Sequence, residues 1–254
     1  MSLTAALLVV FAGLAVGATS IGGILVVPIL TTLGQIPVRE AIAASNFSFA
    51  FTGAAALLLQ RQRARGAGAL APAQAPAALY WAALAGAAAG ALTLPWLPPA
   101  AARMVVALLA LVSGVMALLA TRAVGNGIPA ARELPHPVLI GFLVGCGSAW
   151  SGTGGPVLLL PVLLLARAPT LLSVAAAQGM QLPIAGASSA VNLVSGQLNL
   201  GLGVGLGVLL LAGWFTGARV ARHIPVAALR IALALGLIVV GLWYGLQTVK
   251  DLSA

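Results

Sequence analysis

The sequence predicts an all-α polytopic membrane protein built from two homologous repeats, each a glycine-broken segment followed by three transmembrane helices. Three observations predict it. The 254 residues are 61% hydrophobic and only 6% charged, whereas soluble domains carry about 25% charged residues. The apolar residues gather in eight stretches of roughly the length a spanning helix needs. Glycine, proline and arginine recur at fixed offsets between the two halves.

The stretches run over about 3–34, 41–60, 74–97, 100–121, 137–166, 171–194, 198–221 and 226–249. Short alternating segments separated by turns, which mark a barrel, are absent. Helices satisfy their own backbone groups in lipid, so helices are expected. The first and fifth stretches have about 30 residues, more than the ~20 that one span requires, and each is interrupted by glycines. A signal peptide is disfavoured for the first stretch: no basic region precedes Leu3, and the stretch has a counterpart in mid-chain.

The repeat is read from spacing. Pro28 lies 133 residues before Pro161, and Gly53 lies 133 before Gly186. Further on the offset is 127, relating Gly86 and Gly90 to Gly213 and Gly217, Pro98 to Pro225, Arg103 to Arg230 and Gly114 to Gly241. A longer loop between Gln60 and Pro76 accounts for the change. The first repeat is placed at 1–123, a connecting loop at 124–136 and the second repeat at 137–254. Duplicated halves are a recurring architecture of secondary transporters.

Charge then separates two topologies. If the broken segments span fully, the basic residues divide six against six. If each broken segment is a hairpin, one face receives Arg61, Arg63, Arg65, Arg122, Arg132, Arg167, Arg219, Arg222 and Arg230, and the other keeps Arg39, Arg103 and Lys250. The second distribution follows the positive-inside rule. It makes the halves inverted copies and puts both termini outside the cell membrane.

The breaks carry the chemistry. The first, Gly17 to Ile24, reads GATSIGGI and leads to Pro28. The second, Cys146 to Pro156, reads CGSAWSGTGGP and leads to Pro161. Glycine lets the backbone turn sharply and approach a ligand. Ser20, Ser151 and Thr153 are N-cap residue types for the helix that follows, and Pro156 suits a first helical position. A helix starting inside the membrane offers unpaired N–H groups to an anion. The candidate substrate-binding residues are Ser20, Gly22, Gly23, Asn46, Ser151, Gly152, Thr153, Gly154, Gly155 and Gln178. Asn46 and Gln178 join because Ser45-Asn46 falls opposite Gln178-Gly179 at the 133-residue offset. Gln181, Ser188, Ser189 and Asn192 continue the polar series. Gly86, Gly90, Gly213 and Gly217 are read as packing glycines, and Cys146 and Trp150 beside the second break are read as packing side chains rather than ligands.

Other classes find little support. The net charge of +9 is scattered between apolar stretches, so nucleic acid is not an expected partner. One cysteine excludes an internal disulfide and a thiolate metal cluster. Glu40, Glu133 and Asp251 fall at loops or helix ends, as do His136 and His223, which leaves no mid-membrane relay and no catalytic or metal constellation. No cofactor and no enzyme activity are expected. The partners are a small anionic substrate and membrane lipid, with a homo-oligomer allowed.

Ser20-Ile21-Gly22-Gly23 with Pro28, Gly152-Thr153-Gly154-Gly155 with Pro161, the stretch Ala41 to Asn46 and the duplication together resemble the TauE/SafE, or sulfite exporter, family of membrane transporters. The resemblance covers nearly the whole chain. Thr19 and Ile21 stand where that family usually has glycine, and Pro156 replaces the last glycine of the second copy. The resemblance implies export or uptake of sulfite, sulfonates or related sulfur oxyanions, or other small organic anions. The leading expectation is a secondary transporter of a bacterial cytoplasmic membrane that works by alternating access, one repeat moving against the other. An anion channel and a non-transporting membrane subunit are the alternatives from other classes.

Overall fold

The computed structural model describes residues 2–66, 75–124, 136–220 and 226–253. Most of the loop expected between Gln60 and Pro76 and most of the 124–136 connection lie outside the described residues, with Arg132, Glu133, Arg222 and His223. The described residues are all-α. In chain order the helices are α1 (Leu3–Thr19), α2 (Val26–Thr32), α3 (Val38–Gly66), α4 (Ala77–Thr93), α5 (Pro99–Val124), α6 (Pro137–Ser151), α7 (Pro156–Leu165), α8 (Thr170–Gly179), α9 (Gln181–Val194), α10 (Leu200–Val220) and α11 (Val226–Ser253). Five of them are long and apolar enough to cross a membrane, over Val38–Gln62, Ala77–Trp96, Pro99–Ala120, Leu200–Val220 and Ala228–Asp251. Their outward faces are apolar, with Trp81, Leu108, Val208, Val239 and Leu246 exposed. Lipid is the solvent that such a surface fits, and the chain is a multi-pass membrane protein.

Both long stretches break where the glycines fall. α1 ends at Ser20, which adopts the left-handed conformation (φ 63°), and a single 3-10 turn at Gly23–Leu25 precedes α2. α6 ends at the left-handed Gly152 (φ 69°), and α7 begins at Pro156. α7 has ten residues, about 15 Å at 1.5 Å per residue, or half the thickness of the hydrocarbon core. The stretch 171–194 differs from its expected single helix: it is divided at Met180 into α8 and α9. Pro183 is the cause, because it has no N–H to give the Gly179 carbonyl and its ring crowds that carbonyl.

The halves pack across one another. α1 lies parallel to α10, with Gly13 against Leu210 and Gly17 against Trp214, while Gly213 and Gly217 meet Val10 and Leu14. α6 lies parallel to α4 in the same way. Gly141 and Gly145 meet Leu79 and Ala83, and Gly86 and Gly90 meet Phe142 and Cys146. A methyl group at Gly86 would fall 2.1 Å from the Phe142 carbonyl oxygen, and one at Gly213 would fall 2.1 Å from that of Val10. Glycine is what allows the backbones to touch, as small residues do between membrane helices. α5 and α11 pair antiparallel, Gly114 meeting Ala234 and Gly241 meeting Ala107.

Helix α3 runs through the centre. It lies antiparallel to α8 and α9, held by Gln60 to Ala175, Thr52 to Gln181 and Asn199 to Glu40. At one end of the bundle, Pro37 to Glu40, Pro99, Arg103 and Gly196 to Asn199 line a cavity of about 740 Å3. Arg103 at that end donates to Asp251 at 2.8 Å, and Arg39 donates through Nε and Nη2 to the Leu97 carbonyl. This is called the Arg39 end below.

Candidate functional site

The two breaks meet in the interior. A Cβ on Gly23 would lie 2.8 Å from the carbonyl oxygen of Thr153 and 2.7 Å from the ring of Phe49. A Cβ on Gly154 would lie 2.5 Å from the same ring. Phe49, fully buried on α3, is therefore wedged between the two tips. Of the sequence-proposed residues, Ser20, Gly22, Gly23, Asn46, Ser151, Gly152, Thr153, Gly154 and Gly155 are buried, and Gln178 is half-buried. The fold gathers them around this point.

Each break is held by the other half of the chain. Ser45 on α3 donates to the Gly152 carbonyl at 2.6 Å. Gln178 on α8 donates through Nε2 to Ser20 Oγ at 2.9 Å. Ser45 and Gln178 are the residues matched by the 133-residue offset, so the two braces are counterparts. Asn46 reaches one turn back from the second break, donating through Nδ2 to the Ala149 carbonyl at 3.1 Å. Its Oδ1 is buried without a partner among the described residues.

The caps differ from the expectation. Ser20 closes α1 rather than opening the helix after it, and its hydroxyl accepts from Gln178. Ser151 is the last residue of α6 and bonds back to the Gly147 carbonyl at 2.6 Å, and its hydroxyl lies 3.2 Å from that of Thr153. The N-caps are Gly22 (φ 139°) and Gly155 (φ 106°), and neither start has a side-chain cap. The reason is steric. Both positions need a positive φ that serine and threonine rarely adopt, so the hydroxyls fall on the other side of the turn. Pro156 occupies the first helical position, as its missing N–H predicts.

The consequence is a set of unused donors. The backbone N–H groups of Gly22, Gly23, Thr153, Gly154 and Gly155 make no hydrogen bond among the described residues, and all five residues are buried. Buried backbone donors are nearly always paired, so these five are open to a partner from outside the chain. Their electrostatics favour negative charge, helped at Gly155 by the N-terminal end of α7. Among the described residues no carboxylate opposes them: Glu40 lies in the first turn of α3 and Asp251 near the end of α11. The arrangement can hold a small anion by hydrogen bonds without a fixed countercharge.

The neighbouring groups serve packing. Cys146 Sγ donates to the Gly86 carbonyl at 3.1 Å, and Trp150 Nε1 donates to Thr93 at 2.9 Å. Both bonds join α6 to α4. Sequence reasoning missed Phe49 and the role of Ser45. A phenylalanine in an apolar helix gives no signal, although Ser45 was visible as the offset partner of Gln178.

Comparison with known proteins gives one match. The sequence model of the family described as Sulfite exporter TauE/SafE matches residues 61–244, well over half of the chain. That region contains the second break whole and begins after the first. No curated protein matches the chain, and no solved structure does. The chain belongs to the sulfite exporter TauE/SafE family and is, on that family's terms, a membrane transporter of sulfur compounds.

Proposed function

We propose that this protein is a secondary transporter that moves a small sulfur oxyanion or organosulfonate by alternating access, binding it where two re-entrant hairpin tips meet. The observation that carries the reading is the set of five buried, unpaired N–H groups shared by the tips. The sulfur chemistry comes from the family.

The hairpin reading rests on helix directions. α1 runs parallel to α10, and α10 begins just after Asn199 at the Arg39 end. The first segment thus starts at the end of the bundle where α2 hands over to α3. α6 runs parallel to α4, away from the end where α8 begins only if the second segment also doubles back. Gly22 supports the reversal locally, since its Cβ would touch Ala15 and approach the Ala12 carbonyl. The hairpins open toward opposite faces, so the halves are inverted repeats, and the site lies between them as in other transporters of this design. The Arg39 end, with the fewest basic residues, faces outward.

Thr153→Val removes a hydroxyl at the tip and keeps the side-chain shape. It should weaken binding of sulfite or sulfoacetate by about 1–3 kcal/mol, the scale for a hydrogen bond to a charged group, which is roughly 5- to 150-fold in affinity. Gly205→Ala is the control, because a Cβ there meets nothing within 4 Å. Calorimetry on monodisperse protein compares the two. Equal affinities for both variants and the parent would place the anion elsewhere.

A further inference from the structure

Ten buried side-chain polar atoms have no partner among the described residues, and six of them lie on α3, α6 and α9: Asn46 Oδ1, Ser148 Oγ, Gln181 Nε2, Ser189 Oγ and both amide atoms of Asn192. These three helices pack on one another. Asn46, Ser148, Gln181 and Asn192 are completely inaccessible. Gln181, Ser188 and Asn192 share the single buried face of α9. A packed apolar seam has no use for polar groups left unpaired. A seam that parts and fills with water or anion does.

The seam joins two features already described. At its inner end Asn46 and Ser45 touch the second break. At its outer end the Asn192 carbonyl accepts the N–H groups of Gln197 and Leu198 at 2.9 and 3.1 Å, and both those residues line the cavity at the Arg39 end. From Arg39 in the cavity to Asn46 is seven residues of α3, about 10 Å. A barrier of two helical turns therefore separates the cavity from the breaks.

We infer that the cavity at the Arg39 end is the outer mouth of the anion's path, and that the α3–α6–α9 seam around Asn192 is its gate, shut in this structure. The inference rests on the reading that the breaks hold the anion. Arg39 lines this mouth beside Glu40, and Arg103 there is paired with Asp251, so the mouth is polar and can hold water and a hydrated anion. When α9 swings from α3 and α6, the amides of Asn192 and Asn46 become the walls that replace its hydration. Uncharged donors pass an anion on without trapping it.

The test is thiol accessibility in a Cys146→Ser background, with the protein oriented in vesicles and a membrane-impermeant methanethiosulfonate reagent. Asn199→Cys, at the exposed rim, should react freely from the Arg39 face. Asn192→Cys and Ser188→Cys, both on the buried face of α9, should react from the same face, but roughly 10- to 1000-fold more slowly, in proportion to a minor open state. Neither should react from the opposite face. Asn192→Leu gives a second readout, since it removes the unpaired amide from the closed form and should raise the melting temperature. Reaction from the opposite face alone overturns the inference. So does silence at both seam positions while Asn199→Cys reacts, or a lowered melting temperature for Asn192→Leu. Labelling needs no bound anion, so it separates a failed gate from a failed central site.

Discussion

Ser20 and Gly152 occupy matching places in the two breaks, both left-handed, yet one is a serine. A non-glycine residue in that conformation costs roughly 1–2 kcal/mol. The side chain offsets this by accepting the Gln178 amide across the half-to-half boundary. On the other side glycine takes the turn without strain, and the brace reaches its carbonyl from Ser45 instead. The same geometric need is thus met once by a side chain and once by the backbone. Ser45→Ala should leave the Gly152 carbonyl buried and unpaired. The expected outcome is a loss of about 1–3 kcal/mol of stability together with weaker anion binding, read by denaturation in mixed micelles and by calorimetry. Unchanged stability would mean that the second break holds its shape without the brace.

At the scale of elements, the decisive contacts are the two crossed helix pairs, α1 with α10 and α4 with α6. Each pair uses two glycines from each helix, four residues apart. The first helix of either half is thereby fixed on a helix of the other half, and neither half can complete its packing alone. Gly86→Ala drives a methyl into backbone, which cannot swing away as a side chain can. It should sharply reduce the yield of monodisperse protein, and Gly213→Ala should do the same. Gly186→Ala, with open space around its Cβ, should behave as the parent. Size-exclusion chromatography after solubilisation distinguishes these outcomes, and equal profiles for all three variants would deny that the crossed contacts bear the fold.

For the whole molecule, the proposed hairpin topology has two re-entrant and six spanning segments and returns the chain to the side on which it began. In that topology the sixth span is α8 and α9 taken together, on either side of the division at Met180. Cysteines placed at Ser2 and at Ser253, in a Cys146→Ser background, should both react from outside. One placed at Arg63 should react only after permeabilisation. Opposite accessibility of the two termini would contradict the hairpins, and an inside location of both would contradict the charge argument.

The sequence by itself did not determine the division of 171–194 at Met180, but it determined the solvent, the helical class, most of the segments and the positions of both breaks. These are local matters. Hydropathy acts residue by residue, and glycine and proline set their own backbone angles whatever surrounds them. Both breaks and Pro156 at the start of α7 were legible for that reason. The tertiary structure decided what the breaks face. Ser45 meets Gly152 across 107 residues of chain, and Gln178 meets Ser20 across 158. Phe49 fills the gap between the tips. The caps were misjudged from sequence because hydroxyl type was visible while the positive φ at Gly22 and Gly155 was not. Spacing along the chain finds residues at equal offsets in the two halves, but only packing decides which half of the chain braces the other, because those contacts form between surfaces that no local pattern encodes.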